Sequence, residues 1–225
     1  MSKDSLAASK QTKRILIVDD HPIVREGLIS LVSKQPDFEI CGEAEDVLQA
    51  LKLVEETKPH VVTIDISLAR GNGLDLIRRI AEHDRSIRLV VCSLHDETLY
   101  AERALQAGAM GYVNKHEATR TIVRAIRQVL DGKVYLSDRM SERLAQRLIG
   151  GPGKLERTAV EALSDRELEV FQMIGGGLTT QEIAQQLHLG VKTIETHRRH
   201  IKAKLNLDNT AQLARDSAQW VLENG

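Results

Sequence analysis

The stretch Val61-Val62-Thr63-Ile64-Asp65, followed by Ile66-Ser67-Leu68-Ala69-Arg70-Gly71-Asn72-Gly73, decides the fold of this chain. A short run of β-formers with no polar alternation reads as a strand buried on both faces, as in a parallel sheet. Open α/β sheets carry their chemistry in the crevice beyond the carboxyl ends of their strands. Asp65 stands at such an end, which makes it the first candidate for a reactive side chain.

On either side of this strand, strand-like and helix-like periods alternate from Arg14 to Gly132. Ile15-Leu16-Ile17-Val18 is a strand ending at Asp19-Asp20-His21-Pro22, and Pro22 suits the first turn of a helix with Ile23, Gly27, Leu28, Leu31 and Val32 on one side. Phe38 to Ala44 is a second strand, and Val47 to Glu56 a helix with Leu48, Leu51 and Val54 inward. After the opening strand come a helix marked by Leu74, Ile77 and Ile80, a strand from Ile87 to Cys92, and a helix from Leu99 to Ala107. Gly111-Tyr112-Val113 and a helix from Ala118 to Leu130 complete five βα units. That order implies a parallel sheet with helices on both faces.

Such a sheet gathers Asp19 and Asp20 from the first strand end, Asp65 from the third, Ser93 from the fourth and Lys115 from the fifth. Three crowded carboxylates repel, and Mg²⁺ relieves this best, because it takes few protein oxygens and admits phosphate oxygens to its shell. A carboxylate can attack phosphorus to form an aspartyl phosphate. The metal and Lys115 would offset the charge of the transferring group, and Ser93 would hydrogen-bond a phosphoryl oxygen. Each residue alone has an ordinary reading, as a helix N-terminal charge or a loop residue. The set, in this order at the ends of these elements, points to phosphoryl acceptance.

Residues 14 to 132 resemble the receiver domain of bacterial two-component response regulators. The resemblance is carried by Leu16-Ile17-Val18-Asp19-Asp20-His21, Asp65, Ser93, and Gly108-Ala109-Met110-Gly111-Tyr112 with Lys115. It implies a five-stranded, doubly wound, flavodoxin-like fold with Asp65 phosphorylated by a histidine kinase or a small phosphodonor. It further implies Mg²⁺ held directly by Asp20, through water by Asp19, and by the Ser67 carbonyl beside Asp65. Ser93 and Tyr112 would switch together, the hydroxyl moving to the phosphate and the ring turning inward. The chain departs from the family pattern at Leu68-Ala69, where Met-Pro is common, and at His116, where proline often follows the lysine.

Composition sets the outer limits. At 225 residues the chain suits one large domain or two modest ones, and 42% hydrophobic with 28% charged residues describes a folded protein. A formal charge of -1 gives no global pull toward nucleic acid, so any DNA contact must come from a local patch. Cys41 and Cys92 read as buried hydrophobes in a reducing compartment. Residues 1 to 13 read as a flexible tail without the apolar core of a signal peptide, and no run approaches the roughly 18 apolar residues of a membrane span. The expected location is the cytoplasm, with no membrane partner.

Residues 133 to 160 read as a linker, with a short helix from Ser137 to Leu148 before the breaker Gly150-Gly151-Pro152-Gly153-Lys154. From 161 to 225 the pattern is helical. Ser164-Asp165-Arg166-Glu167 and Thr179-Thr180-Gln181-Glu182 are capping boxes, the first opening Leu168 to Ile174 and the second a helix with Ile183, Ala184 and Leu187. After His188-Leu189-Gly190 a longer helix runs from Val191 to Leu205, and a last one from Thr210 to Leu222 carries Leu213, Ala214 and Trp220. In the longer helix, Val191, Ile194, Ile201 and Leu205 form the inward stripe. Lys192, Glu195, Arg199 and Lys202 face away, with Thr196 beside them, and Thr193, His197, His200 and Lys204 lie on the flank. In a major groove the outward stripe would meet base edges and the flank phosphates.

Leu163 to Ala218 resembles the LuxR-type helix-turn-helix of NarL/FixJ response regulators, through Leu163 to Val170, Glu182-Ile183-Ala184 with Leu187, and Thr193-Ile194-Glu195-Thr196-His197 through Lys204-Leu205. This implies a four-helix domain binding double-stranded DNA, with Glu195, Thr196 and Arg199 at base-facing positions and a homodimer on DNA or when phosphorylated. Gly190 stands where a Ser cap is common, and Glu195 where a basic residue is common. The combined expectation is an α/β receiver plus an all-α DNA-binding domain, in which Asp65 phosphorylation switches transcription and the chain is no dedicated enzyme. Its rivals are a phosphorylation-independent DNA binder and a phosphatase using an aspartyl-phosphate intermediate.

Overall fold

A computed structural model describes residues 12–68, 70–150, 159–187 and 189–224. Ala69, His188, most of the expected tail and most of the expected glycine-proline breaker lie outside the described residues. The chain runs β1 (Lys13–Val18), α1 (Pro22–Ser33), β2 (Phe38–Ala44), α2 (Val47–Thr57), β3 (Val61–Ile64), α3 (Gly73–His83), β4 (Arg88–Ser93), α4 (Glu97–Ala107), β5 (Gly111–Asn114) and α5 (Ala118–Leu130). It continues through α6 (Asp138–Gly150), α7 (Asp165–Gly175), α8 (Thr180–Gln186), α9 (Val191–Leu205) and α10 (Thr210–Asn224). Two compact units result, one reaching Ser93 and resuming from Ala107 to Tyr135, the other combining Leu94–Gln106 with the chain from Leu136 onward.

In the first unit five parallel strands pair in the order β2-β1-β3-β4-β5. Successive side chains point to opposite faces, and both faces are covered. Ile15, Ile17, Val61, Val90, Cys92 and Val113 join one core cluster with Leu28 and Val32 of α1 and Ile122, Ile126 and Val129 of α5. The alternate set, Leu16, Val18, Val62, Ile64, Leu89 and Val91, is just as buried, on the side where α2 packs against Leu16 and Gly42 through Leu53. Burial on both faces explains why β3 shows no hydrophobic–polar alternation.

Register does the positioning. Val18 pairs with Ile64, and Ile64 with Val91, so the first and third strands end level. The amide of Asp65 donates to the Val18 carbonyl at 2.9 Å, which sets Asp19 and Asp65 side by side. Ser93 pairs with Asn114, so Lys115 follows at the same rim.

Two expected inward residues face solvent. Ile23 is 83% exposed and Leu48 72% exposed. Both lie in the first turn of helices that begin at the carboxyl rim, and the buried residues are Leu28 and Val32 in α1 and Val47, Ala50 and Val54 in α2. Gly27 is likewise exposed, and no atom approaches its Cα within the reach of a Cβ. Val47 is drawn in by the loop after Asp65: a Cβ on Gly71, whose φ is 99°, would lie 2.5 Å from its Cγ2.

In the second unit both capping boxes form, Ser164 with Glu167 at the start of α7 and Thr179 with Glu182 at the start of α8. Helices α7 and α10 cross so closely that a Cβ on Gly175 would sit 2.4 Å from the Ser217 carbonyl. Phe171 and Trp220 meet edge to face at 6.0 Å, over a core of Ile183, Ile194, Ile201 and Leu213. Ala214, expected inward, is exposed, and Ser217, whose carbonyl faces Gly175 at the crossing, is buried. Helix α4 groups with this unit: the Tyr100 hydroxyl donates to Gln172 Oε1 at 2.8 Å, and Arg103 pairs with Asp165 at 2.8 Å. No helix among the described residues is long and apolar enough to cross a membrane.

Candidate functional site

The first unit brings the expected rim residues together. Asp65 is buried, and both its carboxylate oxygens are held: the Ser93 hydroxyl donates to Oδ1 at 2.8 Å and the Lys115 ammonium donates to Oδ2 at 2.6 Å. Lys115 also contacts Asp19 Oδ2 at 2.8 Å. Burial pushes the Asp19 carboxyl above its ordinary range, against the opposing pull of Lys115 and of the His21 amide. Burial alone would lower Lys115; the Asp65 charge, the hydrogen bond to Asp65 and the ion pair with Asp19 outweigh it and hold the ammonium above its usual value. Three carboxylates against one ammonium leave the cluster with a formal excess of two negative charges.

That excess is what a divalent cation would neutralise. Asp19, Asp20, His21 and Asp65 offer ligand atoms all within 4.8 Å of one another. Asp19 Oδ2 and Asp20 Oδ1 are buried oxygens without a well-directed hydrogen-bond donor; the close approach of Lys115 to the first is an ion pair set off the hydrogen-bonding axis. Buried acceptors of this kind normally find partners. The residues present therefore fit a divalent cation. Ser67, whose carbonyl is the further ligand implied by resemblance, is exposed between buried Ile66 and Leu68 and is bridged to Asn72. Gly73 lets the chain lie against Asp65, since a Cβ there would fall 2.1 Å from the Asp65 carbonyl. Tyr112 is fully buried in β5.

Two residues of this pocket had no role assigned from sequence. His21 places its Nδ1 2.8 Å from Asp20 and 4.0 Å from Asp65. Arg25 donates to the Asp19 carbonyl at 2.7 Å and pairs with Glu43, fixing the backbone of the acidic pair. Arg25 acts on a main-chain carbonyl six residues back, a contact that side-chain spacing does not signal. The thiol of Cys92, behind the pocket, is pushed by burial up to about 12, so it is unreactive as expected of a core cysteine.

On α9, Lys192, Thr193, Glu195, Arg199 and His200 are exposed and Thr196 and Lys202 half-buried. Glu195, Arg198, Arg199 and Lys202 line a hollow with Thr180 and Thr210. Ile194 and Ile201 form the inward stripe, while Val191 is 41% exposed because it occupies the first helical position, ahead of the packed turns. Arg198 reaches back to donate to Thr180 Oγ1 at 2.8 Å, tying α9 to α8. Lys204 is committed within the unit: it donates to buried Glu167 at 2.6 Å and to the Ala162 carbonyl at 3.4 Å, with His200 Nδ1 3.7 Å from the same carboxylate.

A doubly wound sheet with an acidic, ammonium-bearing carboxyl rim, joined in one chain to a helix-turn-helix unit, defines a signal-receiving regulator of nucleic acid. Comparison with known proteins agrees. Residues 15–127 match the response regulator receiver domain and residues 161–216 the bacterial regulatory proteins of the luxR family. The chain is 32% identical over 201 residues to the response regulator GacA of Pseudomonas aeruginosa, covering 89% of this chain and 93% of that protein. It is 31% identical over 204 residues to the oxygen regulatory protein NreC of Staphylococcus carnosus, covering 89% of this chain and 94% of that one. Among solved structures it is similar to RcsB from Salmonella enterica serovar Typhimurium bound to promoter P1flhDC in the presence of phosphomimetic BeF₃⁻, with a TM-score of 0.68 and 25% identity over 93% of this chain and 100% of that chain. The chain belongs to the two-component response regulators that join a receiver domain to a LuxR-type DNA-binding domain.

Proposed function

We propose that Asp65 is the phosphoryl acceptor and that its phosphorylation switches sequence-specific DNA binding by α9. The observation that carries this is the buried Asp65 carboxylate held between Ser93 and Lys115 beside a second buried carboxylate, Asp19. An Asp65 oxygen forms a bond to phosphorus as the bond from phosphorus to the donor breaks, and the donor's leaving group carries away that electron pair. Lys115 offsets charge on the phosphoryl oxygens, and the Ser93 hydroxyl turns from the carboxylate to one of them. Mg²⁺, held by Asp19, Asp20, Asp65 and the Ser67 carbonyl, supplies further charge neutralisation when bound. Tyr112 serves as the aromatic partner of Ser93 in the switch.

The donor is a histidine kinase or a small phosphodonor. The receiver spans 14–132, the linker 133–160 and the DNA-binding domain 161–225. Two copies bind adjacent half-sites of double-stranded DNA as a homodimer, with Lys192, Glu195, Thr196, Arg199 and Lys202 toward bases and Thr193 and His200 toward phosphates, while Lys204, expected on that flank, is taken up by Glu167. RcsB, captured on a promoter with a phosphomimetic, supports both halves of this reading. The test is incubation with acetyl phosphate and Mg²⁺, wild type against Asp65→Asn, followed by operator-binding assays. Stable label on wild type, lost in the variant, with tighter DNA binding by the labelled form, is the expected result. Absence of label on wild type, or label retained in the variant, overturns the assignment.

A further inference from the structure

We propose that His21 is a protein ligand of the cation in this pocket, and that it biases the site toward a first-row transition dication over Mg²⁺. The inference rests on the pocket reading above and extends it to a residue and an ion class.

His21 follows the acidic pair directly and caps the start of α1, with its backbone amide donating to Asp19 Oδ1 at 2.9 Å. That bond fixes the residue over the pocket, and Pro22 behind it fixes the chain into the helix. The imidazole Nδ1 then lies 2.8 Å from Asp20 Oδ1, 3.5 Å from Asp19 Oδ1 and 4.0 Å from Asp65 Oδ2.

An imidazole beside carboxylates is usually read as an ion pair. The orientation here speaks against it. Asp20 Oδ1 has no hydrogen-bond partner even though the ring nitrogen is 2.8 Å away, so the two atoms are close without pointing at one another. Ligands sharing one ion behave in this way: their lone pairs converge on a common centre and not on each other. Atoms bound to one ion at about 2.1 Å stand about 3 Å apart when adjacent and about 4 Å apart when opposite. The separations from Nδ1 to Asp20 at 2.8 Å and to Asp65 at 4.0 Å match those two cases, while Asp19 Oδ1, which accepts from the His21 amide, stands between them at 3.5 Å.

The chemical consequence follows from ligand type. Mg²⁺ prefers an all-oxygen shell, whereas imidazole favours later first-row ions, whose affinities also rise along the series from Mn²⁺ to Cu²⁺. Adding one nitrogen to three carboxylates shifts selectivity toward those ions. Phosphoryl acceptance in this protein would then respond to which divalent ion fills the pocket.

The test uses the purified full-length protein stripped of metal, with Co²⁺ and Mg²⁺ as probes. Affinity is measured by calorimetry, and the visible spectrum of bound Co²⁺ reports nitrogen ligation. His21→Ala should weaken Co²⁺ by about 10-fold or more and change its spectrum, while Mg²⁺ affinity moves less than about 3-fold. Asp20→Asn should weaken both ions. If His21→Ala leaves the Co²⁺ affinity and spectrum unchanged while Asp20→Asn weakens both ions, the His21 assignment is overturned and the pocket stands. If Asp20→Asn affects neither ion, the pocket reading falls and the His21 assignment falls with it.

Discussion

Two lysines hold carboxylates at the same 2.6 Å, Lys115 on Asp65 and Lys204 on Glu167, and they do opposite things. Lys115 is nearly buried and faces carboxylates that outnumber it, so its cluster keeps an excess of negative charge. Lys204 is 41% exposed and faces one carboxylate that also accepts from the Ser164 amide, so its cluster is close to balance. An unbalanced buried cluster is costly and persists where it has a use; a balanced one at the edge of a helix pair serves architecture. Charge excess, not contact distance, separates the proposed phosphoryl-acceptor site from the structural pair.

The largest effect should come from breaking the unbalanced cluster. Lys115→Met leaves buried carboxylates without their counter-charge and should cost about 3–5 kcal/mol in urea unfolding without divalent cation. Added Mg²⁺ should then stabilise the variant more than it stabilises wild type. Equal stability of the two proteins would show that the cluster is neutralised in some other way, and the contrast between the lysines would fail.

Next in size is Arg199→Ala, at the exposed centre of α9. It should lose about 1–3 kcal/mol of discrimination between operator and random duplex while retaining a similar salt slope. Competition binding at two salt concentrations checks this; unchanged discrimination would displace base reading from this face of the helix.

Lys204→Met sharpens the comparison at smaller scale, about 1 kcal/mol after allowance for solvent screening of the exposed ammonium. Burial pushes the Glu167 carboxyl up, but bonds from Lys204 and Ser164 overcome this and leave it below its ordinary 4.5. A depressed folded-state value means the stabilisation is fully present above about pH 4.5 and drains away as pH falls through the folded value. Denaturation midpoints of wild type should therefore fall more steeply in acid than those of Lys204→Met. Parallel acid profiles would show that Lys204 is not the source.

These lysines also mark what was legible beforehand. Asp19, Asp65, Ser93 and Lys115 could be gathered from sequence because parallel pairing in register makes strand ends converge, and a strand end shows as a change of residue type. The two capping boxes were readable because all their partners lie within four residues. Glu167 and Lys204 are 37 residues apart on different helices, and Lys204 therefore read as one more cation on a DNA-facing flank. The exposure of Ile23, Leu48 and Val191 was hidden for a related reason: helical periodicity gives the phase of an apolar stripe but not where its helix overhangs the core. His21 was visible as a letter in the motif, but the direction of its ring nitrogen depends on a backbone bond to Asp19 that no spacing reveals.

The smallest prediction tests local reading against local structure. Helices α7 and α8 open with Ser164 and Thr179, each accepting a backbone N–H, whereas α9 opens with Gly190 and no side-chain cap. Gly190 has φ -72° and ψ 144°, an extended conformation open to any residue, and the nearest atom to a new Cβ would be Thr193 Oγ1 at 3.8 Å. A serine there could accept from the Lys192 or Thr193 amide without displacing a neighbour. Gly190→Ser should therefore stabilise the protein by about 0.3 kcal/mol, against a loss of about 1 kcal/mol for Ser164→Ala. Paired urea titrations resolve the two signs. A loss for Gly190→Ser would mean that the new hydroxyl accepts from neither amide, and capping would not be what separates α9 from α7 and α8.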